Sequence, residues 1–94
     1  MRSKSTKKLL AYIGANVQRL RKRRIWTQEK LAEKAELDLR YLQRVERGSV
    51  NLSIDVLSAL ADALDTTPVA LLRAAKVNPP RTGRPPKKSR KASV

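Results

Sequence analysis

The segment LDLRYLQRVERG, residues 37–48, carries hydrogen-bond donors at the spacing of one helix face. At about 100° per residue, one arc of such a helix would hold cations, an amide and one leucine: Leu39, Arg40, Gln43, Arg44 and Arg47. The opposite arc, with Tyr41, Leu42 and Val45, is suited to a core. Guanidinium and amide groups donate hydrogen bonds to anions and polar acceptors. A leucine beside them predicts that this face meets something other than water.

Several kinds of chemistry are excluded by composition. The chain has no Cys and no His, which rules out disulfides, thiolate chemistry, typical zinc sites and imidazole catalysis. Its Asp and Glu residues are spread along helix faces that we expect to be solvated, without a nucleophile and base brought together. We therefore predict a protein that is not an enzyme and uses no cofactor or metal.

The apolar pattern predicts a soluble, unexported protein. No apolar run approaches the roughly 20 residues that span a bilayer, and no signal-peptide core follows the basic N-terminus. The apolar stripes are needed for the core, which argues against a membrane-surface role. The lack of Cys fits a reducing cytoplasm, so we predict a cytoplasmic protein.

Positive charge is concentrated at the two ends of the chain. Of the formal net charge of +14, residues 1–24 contribute +9 and residues 76–94 contribute +7, whereas residues 25–75 contribute −2. Cationic ends around a balanced middle indicate a polyanionic partner, because lysine and arginine release counterions from phosphate. Nucleic acid is the first candidate. An anionic membrane or an acidic protein would be attracted by the same field.

Five short helices and no strand are predicted for the middle of the chain. Residues 1–8 lack apolar periodicity and are predicted to be a flexible basic arm, while residues 76–94, rich in proline and charge, are predicted to be disordered when alone. Between them, residues 9–75 form one all-α domain. Its helices are predicted over residues 9–24, 27–35, 38–47, 53–64 and 67–75, with caps at Thr27, Asp38, Ser53 and Thr67. Trp26, just before the second helix, is predicted to be a core wedge or hydrophobic staple, with stacking on a nucleic-acid base as the alternative.

Four motifs in order give a resemblance to a known family. They are LR before the second helix, then TQEKLAEKA, YLQRVERG and LADAL. At these spacings, residues 13–72 resemble the helix-turn-helix domain of the phage-repressor and Cro superfamily, often called Xre-like regulators. The resemblance implies a compact lambda-repressor-like fold in which the third helix lies in the DNA major groove.

The resemblance also implies which residues touch DNA. Base edges would be read by Asp38, Leu39, Arg40, Gln43 and Arg44, because guanidinium groups suit guanine, glutamine suits adenine and leucine packs on a thymine methyl. The DNA backbone would be held by Gln28, Arg47, Ser49 and Asn51. Simpler roles stay open: solvated or phosphate-binding arginines, loop packing for Leu39, an early-helix polar residue at Gln28 and a turn residue at Asn51.

Two structural features follow from the same resemblance. Arg21 and Glu46 match a pair that joins the first helix to the third beside the DNA surface. Glu36 and Asp65 stand where glycine is common, so Glu36 either adopts a left-handed conformation at some cost or the turn differs.

The tail RTGRPPKK resembles the AT-hook, which lies in the minor groove of A·T-rich DNA. The matching residues are Arg81, Gly83, Arg84, Lys87 and Lys88, with Thr82 interrupting the motif. The alternative is a nonspecific polycation that raises affinity without choosing sites.

Members of the family usually bind as two-fold dimers on half-sites about one helical turn apart. We predict a homodimer on a two-fold symmetric operator in double-stranded DNA, through an apolar surface of the fourth and fifth helices that includes Leu57, Val69, Leu71 and Leu72. A dimer would carry two helix-turn-helix domains and so make twice as many base contacts, which would raise its selectivity for the operator.

The resemblance implies a sequence-specific transcription regulator of bacterial or phage type, associated with the nucleoid when bound. It would act by occupancy, blocking RNA polymerase or contacting it. Phage switches, restriction–modification control, antitoxins and mobile elements are all open contexts, and an antitoxin could use the tail to bind a toxin. An architectural protein that coats DNA with little preference is the alternative.

Overall fold

The computed structural model describes residues 3–77. These residues form five helices and no strand: α1 (Lys4–Arg23), α2 (Gln28–Ala35), α3 (Leu39–Arg47), α4 (Ile54–Ala63) and α5 (Pro68–Leu71). The predicted all-α architecture with five helices is confirmed. Because only residues 36–38 separate α2 from α3, these two helices form the helix-turn-helix unit.

The first helix begins earlier than the sequence pattern predicted. Ser3 is its N-cap and accepts a hydrogen bond from the Thr6 amide at 3.0 Å. The prediction of a flexible arm over residues 1–8 is therefore wrong for residues 4–8, which are helical. Apolar periodicity marks only turns that pack against a core, and the first turns of α1 expose their lysines to solvent. Residues 1 and 2 lie outside the described range.

The last helix is shorter than the predicted span of residues 67–75. Asn16 of α1, which is only 3% exposed, donates through its amide to the carbonyls of Leu71 at 2.9 Å and Arg73 at 3.0 Å. A longer α-helix would need the Leu71 carbonyl for the amide four residues later. The Asn16 side chain takes that place and holds the end of α5 against α1.

Side-chain caps set the starts of the other helices where the sequence predicted them. Each cap oxygen accepts from a backbone amide of the first turn at 3.0 to 3.3 Å. The capping residues are Thr27, Asp38, Ser53 and Thr67.

The hydrophobic core receives side chains from all five helices. Its largest fully buried members are Val17, Leu31, Leu42, Val45, Leu60 and Leu71. Leu57 and Leu71 are 4% and 0% exposed, so their predicted place on a dimer surface is wrong. The short α5 folds back against α1 and α4, and its inward leucine closes the core. Trp26 is half-buried and packs against this core, as predicted for a core wedge or staple.

A glycine allows α1 and α3 to approach closely. A Cβ on Gly14 would lie 2.7 Å from the carbonyl oxygens of Val45 and Glu46, too close for any other residue without a shift of backbone. Ala11 of α1, one turn before Gly14, lies against the residue that follows α3, since a Cβ on Gly48 would lie 3.2 Å from the Ala11 Cα. The last turn of α3 and the start of the next loop therefore rest directly on α1.

Four helices end with a residue in the left-handed conformation. After each one, the next amide donates to a carbonyl five residues earlier at 2.8 to 3.2 Å, which is the Schellman pattern. The residues and their φ angles are Ile25 (60°), Glu36 (58°), Gly48 (72°) and Asp65 (56°). Of the two alternatives for Glu36, the structure has the left-handed one. Three of the four residues bear a Cβ, at a cost of about 1–2 kcal/mol each.

Replacing Glu36 with glycine should stabilise the fold. We expect Glu36→Gly to raise the free energy of unfolding by about 1 kcal/mol, because glycine takes a left-handed φ without steric conflict. The matched control is Glu36→Ala, which keeps the Cβ and should change stability by less than about 0.5 kcal/mol. Urea denaturation of the three chains measures the difference. Equal stability of the two variants would contradict strain at this position.

Candidate nucleic-acid interface

The third helix has one buried side and one exposed side. Leu42 and Val45 are 0% and 1% exposed and belong to the core. On the other side, the three arginines are exposed and the remaining two residues are half-buried: Leu39, Arg40, Gln43, Arg44 and Arg47. Leu39 is not part of the hydrophobic core formed within residues 3–77. The predicted arc therefore forms one surface of cations, an amide and a leucine.

Asp38 combines a capping role with a free acceptor. One carboxylate oxygen, Oδ2, accepts from the amides of Arg40 at 3.1 Å and Tyr41 at 3.3 Å. This arrangement fixes the carboxylate at the start of the exposed arc. Its second oxygen points to no donor in the hydrogen bonds formed by residues 3–77, and it can accept from an amino group such as that of cytosine.

The predicted ion pair between Arg21 and Glu46 is present and buried. Arg21 Nε lies 2.7 Å from Glu46 Oε2, and a second guanidinium nitrogen donates to Oε1 at 3.0 Å. The remaining guanidinium nitrogen donates to the Trp26 carbonyl at 2.8 Å. The Glu46 side chain is 1% exposed and that of Arg21 10%. A bidentate pair of this kind fixes orientation as well as charge.

A chain of amide hydrogen bonds connects this ion pair to the exposed arc. Gln28 Nε2 donates to Glu46 Oε1 at 2.9 Å, and Gln43 Nε2 donates to Gln28 Oε1 at 3.3 Å. Gln43 and Glu46 are three residues apart on α3 and so face the same neighbour. Gln28 of α2 thereby links the Gln43 amide to the buried ion pair and fixes its orientation.

This link gives Gln28 a role that the sequence interpretation missed. Gln28 was predicted either to hold a phosphate or to be an ordinary early-helix residue. In the structure its carbonyl and one amide hydrogen are already used inside the protein. The other amide hydrogen and the free backbone amides of the first turn of α2 are available to an anion. The three-residue spacing of Gln43 and Glu46 indicates that both side chains can reach one neighbour. The sequence does not show that this neighbour is Gln28.

The loop after α3 continues the polar surface. Ser49 donates both its hydroxyl and its amide to the Arg44 carbonyl, at 3.2 and 3.0 Å. Arg47, Ser49 and Asn51 are all exposed. Because Gly48 rests on α1, this loop is held in place at the C-terminal end of the exposed arc.

Three apolar side chains in or next to the last two helices stay at least partly exposed after the correction for Leu57 and Leu71. Val69 is 66% exposed and Leu72 is half-buried. Ile54, at the start of α4, is 73% exposed and was missed by the sequence interpretation. The tail residues predicted to enter a minor groove, 81–88, lie outside the described residues.

Within residues 3–77, no cluster of acidic residues is arranged to hold a metal ion. None of the helices in that range is long and apolar enough to cross a membrane. A shallow depression of about 320 Å³ lies between α2 and α4, away from the exposed arc, and is lined by Lys34, Ala35, Glu36, Ala59, Asp62 and Ala63.

A family profile and a phage protein are similar to this chain in sequence. The profile described as Helix-turn-helix matches residues 17–71, which is more than half of the chain. The immunity repressor protein of Bacillus phage phi105 is 44% identical over 52 residues, covering 55% of this chain and 36% of the phage protein. The chain thus matches about a third of the length of that relative.

Solved structures with the same fold include a hypothetical transcription factor, NHTF, from Neisseria. It is 30% identical, with a TM-score of 0.69 over 73% of this chain and 79% of that protein. The restriction-modification controller protein C.AhdI from Aeromonas hydrophila is 39% identical, with a TM-score of 0.63 over 66% of this chain and 94% of the controller.

Removing the buried carboxylate should be strongly destabilising. We expect Glu46→Ala to lower the free energy of unfolding by about 3 kcal/mol, because the Arg21 guanidinium would stay buried without a partner. The control is Glu33→Ala on the exposed side of α2, with an expected change below about 0.5 kcal/mol. Urea denaturation monitored by circular dichroism measures both. A loss below about 1 kcal/mol for Glu46→Ala would mean that the pair does not hold α1 to α3.

Proposed function

Because the chain belongs to the helix-turn-helix family, we propose that it is a sequence-specific DNA-binding transcription regulator of bacterial or phage type. The observation that carries the proposal is the exposed arc of α3, in which base-reading side chains stand on a helix whose opposite side is buried. The regulator relatives support this function and a role without catalysis. It acts in the cytoplasm, on the nucleoid.

The arc supplies several different kinds of contact to base edges. Arg40 and Arg44 can each donate two hydrogen bonds to guanine, Gln43 can pair with adenine, and Leu39 can pack on a thymine methyl. The free oxygen of Asp38 suits the amino group of cytosine. Since Gln43 is oriented through Gln28 before DNA arrives, less conformational entropy is lost at that contact.

The backbone of the DNA is held beside the arc. Arg47, Ser49 and Asn51 contact phosphates on one side, and the first turn of α2 with the remaining amide hydrogen of Gln28 contacts a phosphate on the other. These contacts set the register of α3 in the major groove and carry no sequence information. The basic tail adds a minor-groove contact through Arg81, Gly83 and Arg84.

A homodimer on a two-fold symmetric operator completes the proposal. The apolar residues available for it are the exposed Val69 and the half-buried Leu72, with Ile54 as a further exposed apolar residue at the start of α4. Two reading heads on half-sites about one helical turn apart double the number of base contacts. Operator occupancy then blocks RNA polymerase or brings it into contact with the regulator.

Base selection by α3 can be tested with a random duplex pool at roughly physiological salt. We expect the full chain and a version ending at Lys76 to recover the same two-fold motif. Arg44→Ala should lose about 1–3 kcal/mol of discrimination at one base pair of each half-site, because its bidentate contact is removed. Arg47→Ala, the control, should weaken binding to all sequences alike.

The outcome separates the proposed regulator from a DNA-coating protein. If neither version recovers a motif, and binding only falls steeply with salt, α3 does not read bases and the chain is an architectural protein. If only the full chain recovers one, the tail contributes to site choice.

The dimer has its own test. We expect light scattering of the full chain at tens of micromolar, without DNA, to give the mass of a dimer. Val69→Glu should weaken dimerisation at least about 10-fold, because a charge would be buried without a partner. Val77→Glu, which places the same charge on another exposed valine, should leave the mass unchanged. A monomeric mass for the unmodified chain would overturn the homodimer.

A further inference from the structure

One stripe of α1 faces the third helix and continues beyond it. At alternating steps of three and four residues, the stripe consists of Lys4, Lys7, Ala11, Gly14, Gln18 and Arg21. Three of its members contact α3 or the residue after it: Arg21 pairs with Glu46, Gly14 touches the Val45 and Glu46 carbonyls, and Ala11 lies against Gly48. Those contacts fix which side of α1 the whole stripe occupies.

The first two members of the stripe have no part of α3 to face. The third helix ends at Arg47, and Gly48 is level with Ala11. Lys7 and Lys4 lie one and two turns further toward the N-terminus, roughly 6 and 10 Å beyond Ala11 at 1.5 Å per residue. Both are exposed. They therefore extend past the end of α3 at Gly48, the residue after which the loop with Ser49 and Asn51 begins.

The charge of these turns is unfavourable in the free protein. The first turn of α1 has no acidic residue to meet the positive end of the helix dipole. Lys4 is three residues from Lys7 and four from Lys8, so like charges are neighbours on the helix surface. A polyanion lying along this side would relieve both effects. The arrangement is therefore matched to a ligand with a line of negative charge.

We propose that Lys4 and Lys7 form a second phosphate-binding site, which holds the sugar-phosphate backbone next to the stretch contacted by Arg47, Ser49 and Asn51. The inference rests on the proposed function, since it takes the occupant to be the same DNA that α3 reads. The footprint on DNA is thus longer than the helix-turn-helix unit alone would give.

The test is the salt dependence of binding to the duplex recovered by selection. Each phosphate contact contributes about 0.9 to the slope of log affinity against log salt, so the double variant Lys4→Gln, Lys7→Gln should lower the slope by about 1.8. Over a fourfold rise in salt, the variant should then lose about 10-fold less affinity than the unmodified chain. The double variant Lys4→Arg, Lys7→Arg should keep the slope of the unmodified chain, because both positive charges remain.

The matched control removes two charges elsewhere. Arg23 lies nine residues beyond Gly14, about half a turn away around α1, and Lys34 lines the depression between α2 and α4. Arg23→Gln, Lys34→Gln should change the slope by less than about 0.5, since these groups are turned away from the DNA. Thermal melts of all variants check that exposed substitutions leave the fold intact.

Phosphate ethylation interference supplies the second readout. Ethylation at particular phosphates should weaken binding of the unmodified chain but not of Lys4→Gln, Lys7→Gln. An unchanged slope and an unchanged interference pattern would overturn the second site, with base selection by α3 left standing. If selection recovers no motif, the proposed function fails by itself, and the slope on a random-sequence duplex then decides whether the two lysines contact phosphate.

Discussion

The buried carboxylate of Glu46 is the point on which the arrangement of the first three helices depends. It belongs to α3, and it accepts two hydrogen bonds from Arg21 of α1 and one from Gln28 of α2. A buried charge is costly unless every acceptor is satisfied, so any displacement of these helices would leave the carboxylate short of donors. Although removal of one partner is costly, the intact pair stabilises a fold little more than well-packed apolar side chains would, so its main effect is to fix the angle at which α3 is presented.

The first helix serves as the frame on which the other elements are placed. One side accepts the end of α3 at Gly14, and Asn16 holds the carbonyls at the end of α5. Its apolar residues complete the core between them. A rigid α1 therefore sets the positions of both the exposed arc of α3 and the end of α5.

Local signals predicted the parts of this structure that are local. The caps at Thr27, Asp38, Ser53 and Thr67 are decided by a side chain and an amide two or three residues away, which the sequence displays directly. The start of α1 was missed because solvent-facing turns have no apolar pattern. The burial of Leu57 and Leu71 was missed for a different reason: an apolar stripe shows that a side chain avoids water, but not whether this chain or another covers it.

The contacts between distant segments were the hardest to predict. The Arg21–Glu46 pair followed from a family resemblance, whereas the hydrogen bonds of Gln28 and Asn16 cross between helices and needed coordinates. The left-handed helix ends have an evolutionary consequence. Codons for Glu36 and Asp65 can become glycine codons by one base change. Each such change would relieve a left-handed residue of its Cβ and so compensate for a mutation that lowers stability elsewhere. A lineage whose exposed arc of α3 changes can therefore recover lost stability at positions outside that arc.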